Sequence, residues 1–238
     1  MTDKQLNGLR VAILATDGFE EAELVEPRKA LDAAGAKTTV IAPKSGKIQG
    51  MKHDEKSDKV AVDFTFDNAN PADFDAVLLP GGTFNADALR VVRPAQQFVQ
   101  EINNAHKPIA VICHAPWLLV SAGLAKGRTI TSYHTIQDDL RNAGAKWVDK
   151  EVVRDGNWVS SRQPTDIPAF SREMISLFSE PKARARSQNP FSVTVSAQPA
   201  RPASASHDDN STNCISSMLP HLYHERTLCE KGDLFCQT

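Results

Sequence analysis

Leu9 to Ala15, Thr38 to Ala42, Asp75 to Leu79 and Ile109 to Ile112 are short, mostly apolar runs of strand length. They lack the strict alternation of a strand with one wet face, so they read as strands buried on both sides. Burial on both sides requires helices above and below, and the intervening segments supply them. Glu20 to Ala34 mixes charged and apolar residues at helical spacing and stops at Gly35, a C-cap position. Pro27 either starts this helix or kinks it. Pro94 to Ala105 carries Phe98, Val99 and Ile102 on one face. The opening strand, helix and strand therefore form a βαβ unit, whose crossover is right-handed.

The rest of the chain extends this pattern. Gly46 to Asp67 is more polar, and alternation over Lys59 to Phe66 predicts an exposed strand or hairpin leg. Asn70-Pro71 makes a turn, and Pro80-Gly81-Gly82 ends the Asp75 to Leu79 strand. At Cys113 the Ile109 to Ile112 run passes into a helical segment closed by Ala122-Gly123. Arg128 to Thr131 reads as a strand and Ile136 to Ala143 as a helix capped by Gly144. Trp147-Val148, Glu151 to Arg154 and Trp158 to Ser160 are strands, the last two joined by the hairpin signal Asp155-Gly156. Ile167, Phe170, Met174, Leu177 and Phe178 recur at helical spacing and close the domain near Glu180. The expected fold class is α/β, a doubly wound, mostly parallel sheet with helices on both faces over residues 1–180. From Pro181, Ser, Pro, Ala, Gln and Asn displace the large apolar residues, which predicts a disordered tail over 181–238.

With 238 residues, 41% of them hydrophobic, the chain can build one such domain with a full core. A formal net charge of -2 gives no electrostatic case for nucleic acid or an anionic membrane as partner. No apolar stretch reaches membrane-spanning length, and Met1-Thr2-Asp3-Lys4-Gln5 lacks the apolar centre of a signal peptide, so a cytoplasmic protein is expected. Cys113 stands alone in the first 180 residues and forms no disulfide within the domain, which suits a reducing compartment. Cys214, His221, His224, Cys229 and Cys236 lie in the tail at intervals that miss the usual paired zinc spacings. Neither metal nor cofactor is expected.

The chemistry centres on Cys113. On a tight strand-to-helix turn a nucleophile stands clear of the packed layers, beside the first free N–H groups of the helix. Such an environment is expected to lower a thiol pKa. Pro116 suits the first turn that follows. In a doubly wound sheet, three other pieces gather with Cys113 at the carboxyl ends of neighbouring strands. They are the acidic turn Glu20-Glu21-Ala22-Glu23, the Pro80-Gly81-Gly82 loop and Ser161-Arg162.

Taken together these stretches resemble the ThiJ/PfpI superfamily, which includes PfpI-type cysteine peptidases and a protein deglycase. The resemblance is carried by Asp17-Gly18-Phe19-Glu20-Glu21-Ala22-Glu23-Leu24, Leu78-Leu79-Pro80-Gly81-Gly82, Ile112-Cys113-His114-Ala115-Pro116 and Asp155 to Arg162, and it spans Leu9 to Glu180. It implies a flavodoxin-like fold of the class I glutamine amidotransferase type, with Cys113 as nucleophile toward a carbonyl carbon. Glu23 matches a carboxylate that approaches the cysteine while protonated; burial would keep it neutral, and a hydrogen bond donated to sulfur would favour the thiolate. His114 matches a general base or acid. Neighbours on a tight turn point in different directions, however, so its reach to the sulfur stays open, and His134 is the rival.

Asp87 matches an acid that orients the histidine across a subunit interface, which implies a homo-oligomer, dimer or hexamer. The loop Thr83-Phe84-Asn85-Ala86-Asp87 departs from the peptidase pattern by one extra residue and by Asp in place of Glu. Gly81 and Gly82 correspond to oxyanion donors, residues whose lack of a side chain permits close approach. Arg162 either binds a carboxylate or pins the neighbouring loop.

The activity implied is a cofactor-independent stress enzyme acting on α-dicarbonyls such as methylglyoxal or on their protein adducts. A PfpI-type peptidase and a sensor or chaperone-like protein that oxidises Cys113 are the alternatives, the substrate being a small carbonyl or a peptide. Deleting Pro181 to Thr238 is expected to leave folding and activity intact; a lowered melting temperature of the shortened chain would show that the tail contributes to the fold.

Overall fold

The computed structural model describes residues 5–180, so the tail expected over 181–238 and the cysteines and histidines considered there lie outside the described residues. β1 (Arg10–Leu14) leads through β2 (Phe19–Glu20) into α1 (Glu21–Ala33), and the chain returns as β3 (Lys37–Ala42). β4 (Lys47–Lys52) and β5 (Glu55–Ala61) form an antiparallel hairpin, followed by β6 (Phe64–Thr65) and β7 (Ala76–Leu79). α2 (Thr83–Arg90) and α3 (Arg93–Asn104) precede β8 (Ile109–Ile112). After α4 (Pro116–Ser121) come β9 (Thr129–Ile130), α5 (Gln137–Asn142) and β10 (Lys146–Trp147). β11 (Val152–Asp155), β12 (Trp158–Ser161) and α6 (Ile167–Ser179) complete the domain.

The central sheet has seven strands in the order β11-β12-β8-β7-β1-β3-β6. All neighbours are parallel except β11 and β12, the hairpin marked by Asp155-Gly156. From β1 the chain runs outward through β3 to β6, then returns to the other side of β1 as β7. The strand order therefore reverses between β1 and β7, and the crevice beyond the carboxyl ends of those strands is where such sheets bind ligands.

Alternation along each buried strand divides the core into two layers. Ala12, Leu14, Val77, Leu79, Ile109 and Val111 meet Phe98, Val99, Ile102, Leu118 and Leu119 of α3 and α4. Val11, Ile13, Ala76, Leu78, Ala110 and Ile112 meet Leu24, Leu31, Phe170, Met174 and Leu177 of α1 and α6 on the opposite face. Both faces are dry, which accounts for the unbroken apolar runs in the sequence.

Beyond the helix over Thr83–Arg90 and the strand over Lys47–Lys52, which the sequence pattern did not announce, two segments differ from the expectation. The alternating run Lys59 to Phe66 is split between β5 and β6. Asp63 causes the break: its side chain accepts the Val40 N–H at 2.7 Å while its own N–H donates to the Val40 carbonyl at 2.9 Å, turning the chain back onto the main sheet. The β4–β5 hairpin instead pairs with β2 in a separate three-stranded sheet. Pro27 neither starts nor ends α1; it is buried inside it, and its missing N–H leaves the Glu23 carbonyl without the usual intrahelical donor. Among the described residues no helix is long and apolar enough to cross a membrane.

Phe170 of α6 is fully buried against the sheet. Its replacement by Ala is expected to cost about 3–5 kcal/mol, read as a lowered urea midpoint at unchanged slope; a shift below about 1 kcal/mol would mean the α6 layer repacks freely.

Candidate active site

Cys113 sits between β8 and α4 with φ of +64°, in the left-handed region that residues with a β-carbon avoid. The conformation costs about 1–3 kcal/mol and persists only where the surroundings impose it. Here they do: the Cys113 N–H donates to the Ser161 carbonyl of β12 at 3.1 Å, and the Cys113 carbonyl accepts the Tyr133 N–H at 2.9 Å. The side chain is thereby turned out of the strand direction toward the carboxyl ends of β1 and β7, while remaining 7% exposed.

Glu23, in the first turn of α1, is completely buried. A helix start favours a carboxylate by about 0.3–1 kcal/mol, less than the several kcal/mol that burying a charge costs. Burial therefore dominates and pushes the Glu23 carboxyl up to about 8; contact with Cys113 and the Gly81 N–H pull it down, while the nearby Glu20 charge pushes it further up. At neutral pH Glu23 is predominantly a neutral acid. Its Oε2 accepts the Gly81 N–H at 2.9 Å, and its Oε1 has no hydrogen-bond partner of its own.

This bond revises the role expected for Gly81, because an N–H already committed to Glu23 is not free to hold an oxyanion. Gly81 is required for its size: a β-carbon there would lie 2.5 Å from Glu23 Oε2 and 2.7 Å from the Cys113 β-carbon. Gly82, at φ of +88°, directs its N–H toward the sulfur, and so does the N–H of His114. The two backbone N–H groups aimed at the sulfur are therefore those of Gly82 and His114. The residue after a nucleophile is the usual second donor on such an elbow, so the signal was present in the sequence.

The thiol does not behave as its helix-start position predicts. Burial pushes the Cys113 thiol up, and the charge and hydrogen bonding of Glu23 add to this only where Glu23 is ionised, against the weaker pull of the Gly82 and His114 N–H groups. α4 is only six residues long and begins at Pro116, past the sulfur. At rest Cys113 is therefore a thiol that needs a proton acceptor.

His114 has a ring nitrogen within hydrogen-bond distance of the sulfur. Its Nδ1 lies 3.1 Å from the Cys113 sulfur, closer than neighbours on a tight turn were expected to come, because the left-handed Cys113 backbone swings the two side chains to the same side. The ring lies between Trp117, at 5.5 Å between centroids, and Tyr133, at 4.9 Å. Burial, followed by the neighbouring His134, lowers the His114 pKa and keeps the imidazole neutral. His134, the rival, is exposed and stacks on the far side of Tyr133 at 4.5 Å.

Two other expected residues are not brought to the sulfur. Asp87 is exposed on α2 and makes no hydrogen bond to His114 of its own chain, and the role expected for it belongs to a second copy; within the chain the imidazole nitrogens face Cys113 and, at 3.2 Å, Thr135. Arg162 clamps Asp166 with two bonds of 2.8 and 3.2 Å and Asp149 with one of 2.7 Å, so its guanidinium pins the loop before α6 and is not presented to a substrate in the cleft. Asn85 went unnoticed in the sequence. Fully buried, it accepts the Thr16 N–H at 2.7 Å and donates to the Pro80 and Gly81 carbonyls at 2.9 Å, holding the loops after β1 and β7 together.

A cleft of about 680 Å³ opens over Cys113, walled by Glu20 and Phe84 on one side and Tyr133 and Thr165 on the other, with Met51 and His53 of the β4–β5 hairpin at its rim. Among the described residues no group of three His, Cys, Asp or Glu side chains is placed to hold a metal ion.

The raised Glu23 pKa has a consequence for stability. Below about 4.5 the carboxyl is neutral folded and unfolded, and the folded state suffers no penalty; as pH rises toward 8 the unfolded chain releases the proton while the folded chain retains it. Relative to Glu23→Gln, the wild type should lose stability between pH 4.5 and 8 with a slope approaching about 1.4 kcal/mol per pH unit. Parallel pH profiles of the two melting temperatures would refute a neutral Glu23.

The DJ-1/PfpI family matches residues 9–177. The chain is 45% identical over 169 residues to "Deglycase TK1284" of Thermococcus kodakarensis, covering 71% of this chain and 99% of that one. It is 41% identical over 168 residues to "Putative cysteine protease YraA" of Bacillus subtilis, covering 71% and 97%. Among solved structures, Drosophila melanogaster DJ-1beta superposes with a TM-score of 0.66 at 28% identity, over 72% of this chain and 91% of that one. With a left-handed cysteine between strand and helix, a buried glutamate beneath it and a family match across nearly the whole described domain, this chain belongs to the DJ-1/PfpI family.

Proposed function

We propose that this chain is a cofactor-independent enzyme that acts through Cys113 on α-dicarbonyls such as methylglyoxal, or on the adducts they form with proteins. The observation that carries this reading is the Cys113 sulfur 3.1 Å from a neutral His114 at the floor of an open cleft, with a neutral Glu23 buried beside it. Relatives named deglycases support it.

The residues divide the work by their protonation states. The thiol proton moves to His114 Nδ1 as sulfur adds to the aldehyde carbon; the carbonyl π pair becomes an oxyanion between the Gly82 and His114 N–H groups. The imidazolium returns that proton to the oxyanion, giving a hemithioacetal. His114, neutral again, takes the proton from the carbon bearing sulfur, and the electron pair shifts toward the adjacent ketone, whose oxygen receives a proton from Glu23. Return of protons to the second carbon and to Glu23 leaves a thioester. Water cleaves it to lactate and restores the thiol. Methylglyoxal plus water gives lactate, with no external oxidant or reductant. On an adduct, the amine leaves in addition.

A peptidase is the second reading. It is favoured by the relative named a putative cysteine protease and by a cleft wider than a three-carbon substrate needs. Oxidative sensing through Cys113 is the third reading, and the small exposure of the thiol limits the access of peroxide to it. A thiol kept reduced and free of disulfides would suit the cytoplasm.

Cys113→Ser should abolish lactate release from methylglyoxal and from methylglyoxal-treated protein while the melting temperature holds; undiminished release would overturn the proposal. Cleavage of a fluorogenic peptide, lost in the same variant and unaccompanied by lactate formation in the wild type, would favour the peptidase.

A further inference from the structure

We propose that Asn85 is a positioning residue of this site, whose amide aims the Gly82 N–H at the sulfur by locking the peptide that joins Gly81 to Gly82. The inference rests on reading Cys113 as the nucleophile and the Gly82 N–H as a donor to the oxyanion. Asn85 is fully buried in the first turn of α2. Its Oδ1 accepts the Thr16 N–H at 2.7 Å, which settles the orientation of the amide and leaves Nδ2 donating to the Pro80 and Gly81 carbonyls at 2.9 Å each.

Sterics leave this peptide in need of a lock. Glycine is required on both sides of it: a β-carbon at Gly81 would lie 2.5 Å from Glu23 Oε2, and one at Gly82 would lie 2.4 Å from the Gly18 carbonyl oxygen and 2.5 Å from the Glu20 nitrogen. A peptide between two glycines is the least restrained by its own side chains, yet this one carries an N–H on which the chemistry depends. A peptide group is planar, with its carbonyl and N–H pointing in opposite directions, so holding the Gly81 oxygen aims the Gly82 hydrogen. Two donors hold that oxygen, Asn85 Nδ2 at 2.9 Å and the Glu20 N–H at 3.3 Å. The peptide before it is held at both ends, the Pro80 carbonyl by Asn85 and the Gly81 N–H by Glu23 at 2.9 Å. One side-chain amide thus registers two consecutive peptides.

Donors to an oxyanion are effective because they are oriented before the charge develops. Of the two restraints on the Gly81 oxygen, the Glu20 N–H stands beyond the usual N–H···O range and Asn85 stands at its centre, so Asn85 is the stronger. Being neutral, the amide adds no charge that would oppose the oxyanion; an aspartate in its place would set a carboxylate against two carbonyl oxygens. The two ends of the side chain do different things. The bond to Thr16 ties the loop after β1 to the start of α2, whereas the bonds from Nδ2 set the plane that carries the Gly82 donor.

The test uses the full chain, first without a substrate. The rate at which iodoacetamide modifies Cys113 at pH 7, followed by mass spectrometry on the peptide that contains it, reports how far the backbone donors favour the thiolate. Asn85→Leu keeps a branched side chain and removes the amide; it should slow this rate about fivefold, the equivalent of about 1 kcal/mol for one hydrogen bond. Loosening of the loops alone would expose the sulfur and speed the reaction, so an unchanged or faster rate would overturn the proposal. Asn85→Ser, with a single hydroxyl donor, should fall between Asn85→Leu and the wild type. In lactate release from methylglyoxal, Asn85→Leu should lower kcat about tenfold with KM unchanged, the pattern of a donor that serves only the transition state. A raised KM at unchanged kcat would count against it decisively. Failure of both variants to fold would assign Asn85 to stability alone and equally overturn the inference. Because alkylation needs no turnover, a wild type that releases no lactate would end the dicarbonyl reading and leave the alkylation rates to decide this one.

Discussion

The Gly81 N–H donates to a carboxyl group sealed from water, and the catalytic end of the sheet is arranged around that bond. It brings the first turn of α1 against the loop after β7, leaving between them only the space that a residue without a side chain can occupy. Cys113 closes the third side, its β-carbon in the position a side chain at residue 81 would need. Asn85 braces the same junction from beneath by bonding the loops after β1 and β7. Three strand ends thus meet on a single buried acid, at the point where the order of strands reverses.

Burial then decides the protonation of everything nearby. A carboxyl in this place is held neutral, because desolvation outweighs the helix start on which it stands. A thiol beside it is held protonated for the same reason, although turn geometry alone would have made it acidic. Beside the thiol, one hydrogen bond away, lies an imidazole that burial likewise keeps neutral. The strain in the Cys113 backbone gains its meaning here, since the left-handed turn is what sets sulfur and imidazole side by side.

The architecture was legible because it follows from periodicity. Val11 to Leu14, Ala76 to Leu79 and Ile109 to Ile112 are apolar at every position, and only a sheet covered on both faces buries such runs. Gly35 and Asp155-Gly156 marked a helix end and a hairpin through their own backbone preferences. Lys59 to Phe66 misled because Asp63 satisfies the backbone of Val40, a bond between residues far apart in the chain that no local pattern announces.

By itself, the sequence determined the layered fold, the elbow that carries Cys113 and the approach of Glu23 to it, since each depends on local pattern and on motifs that survive as strings. Tertiary structure alone decided which atoms each group faces. Gly81 serves the acid, Arg162 clamps Asp149 and Asp166, and the Thr135 hydroxyl, twenty-one residues along the chain, meets His114 Nε2 at 3.2 Å. The physical reason is common to all three: hydrogen bonds and desolvation act over about 3 Å in space, and distance along the chain carries no information about which side chains will share that space once the layers have packed.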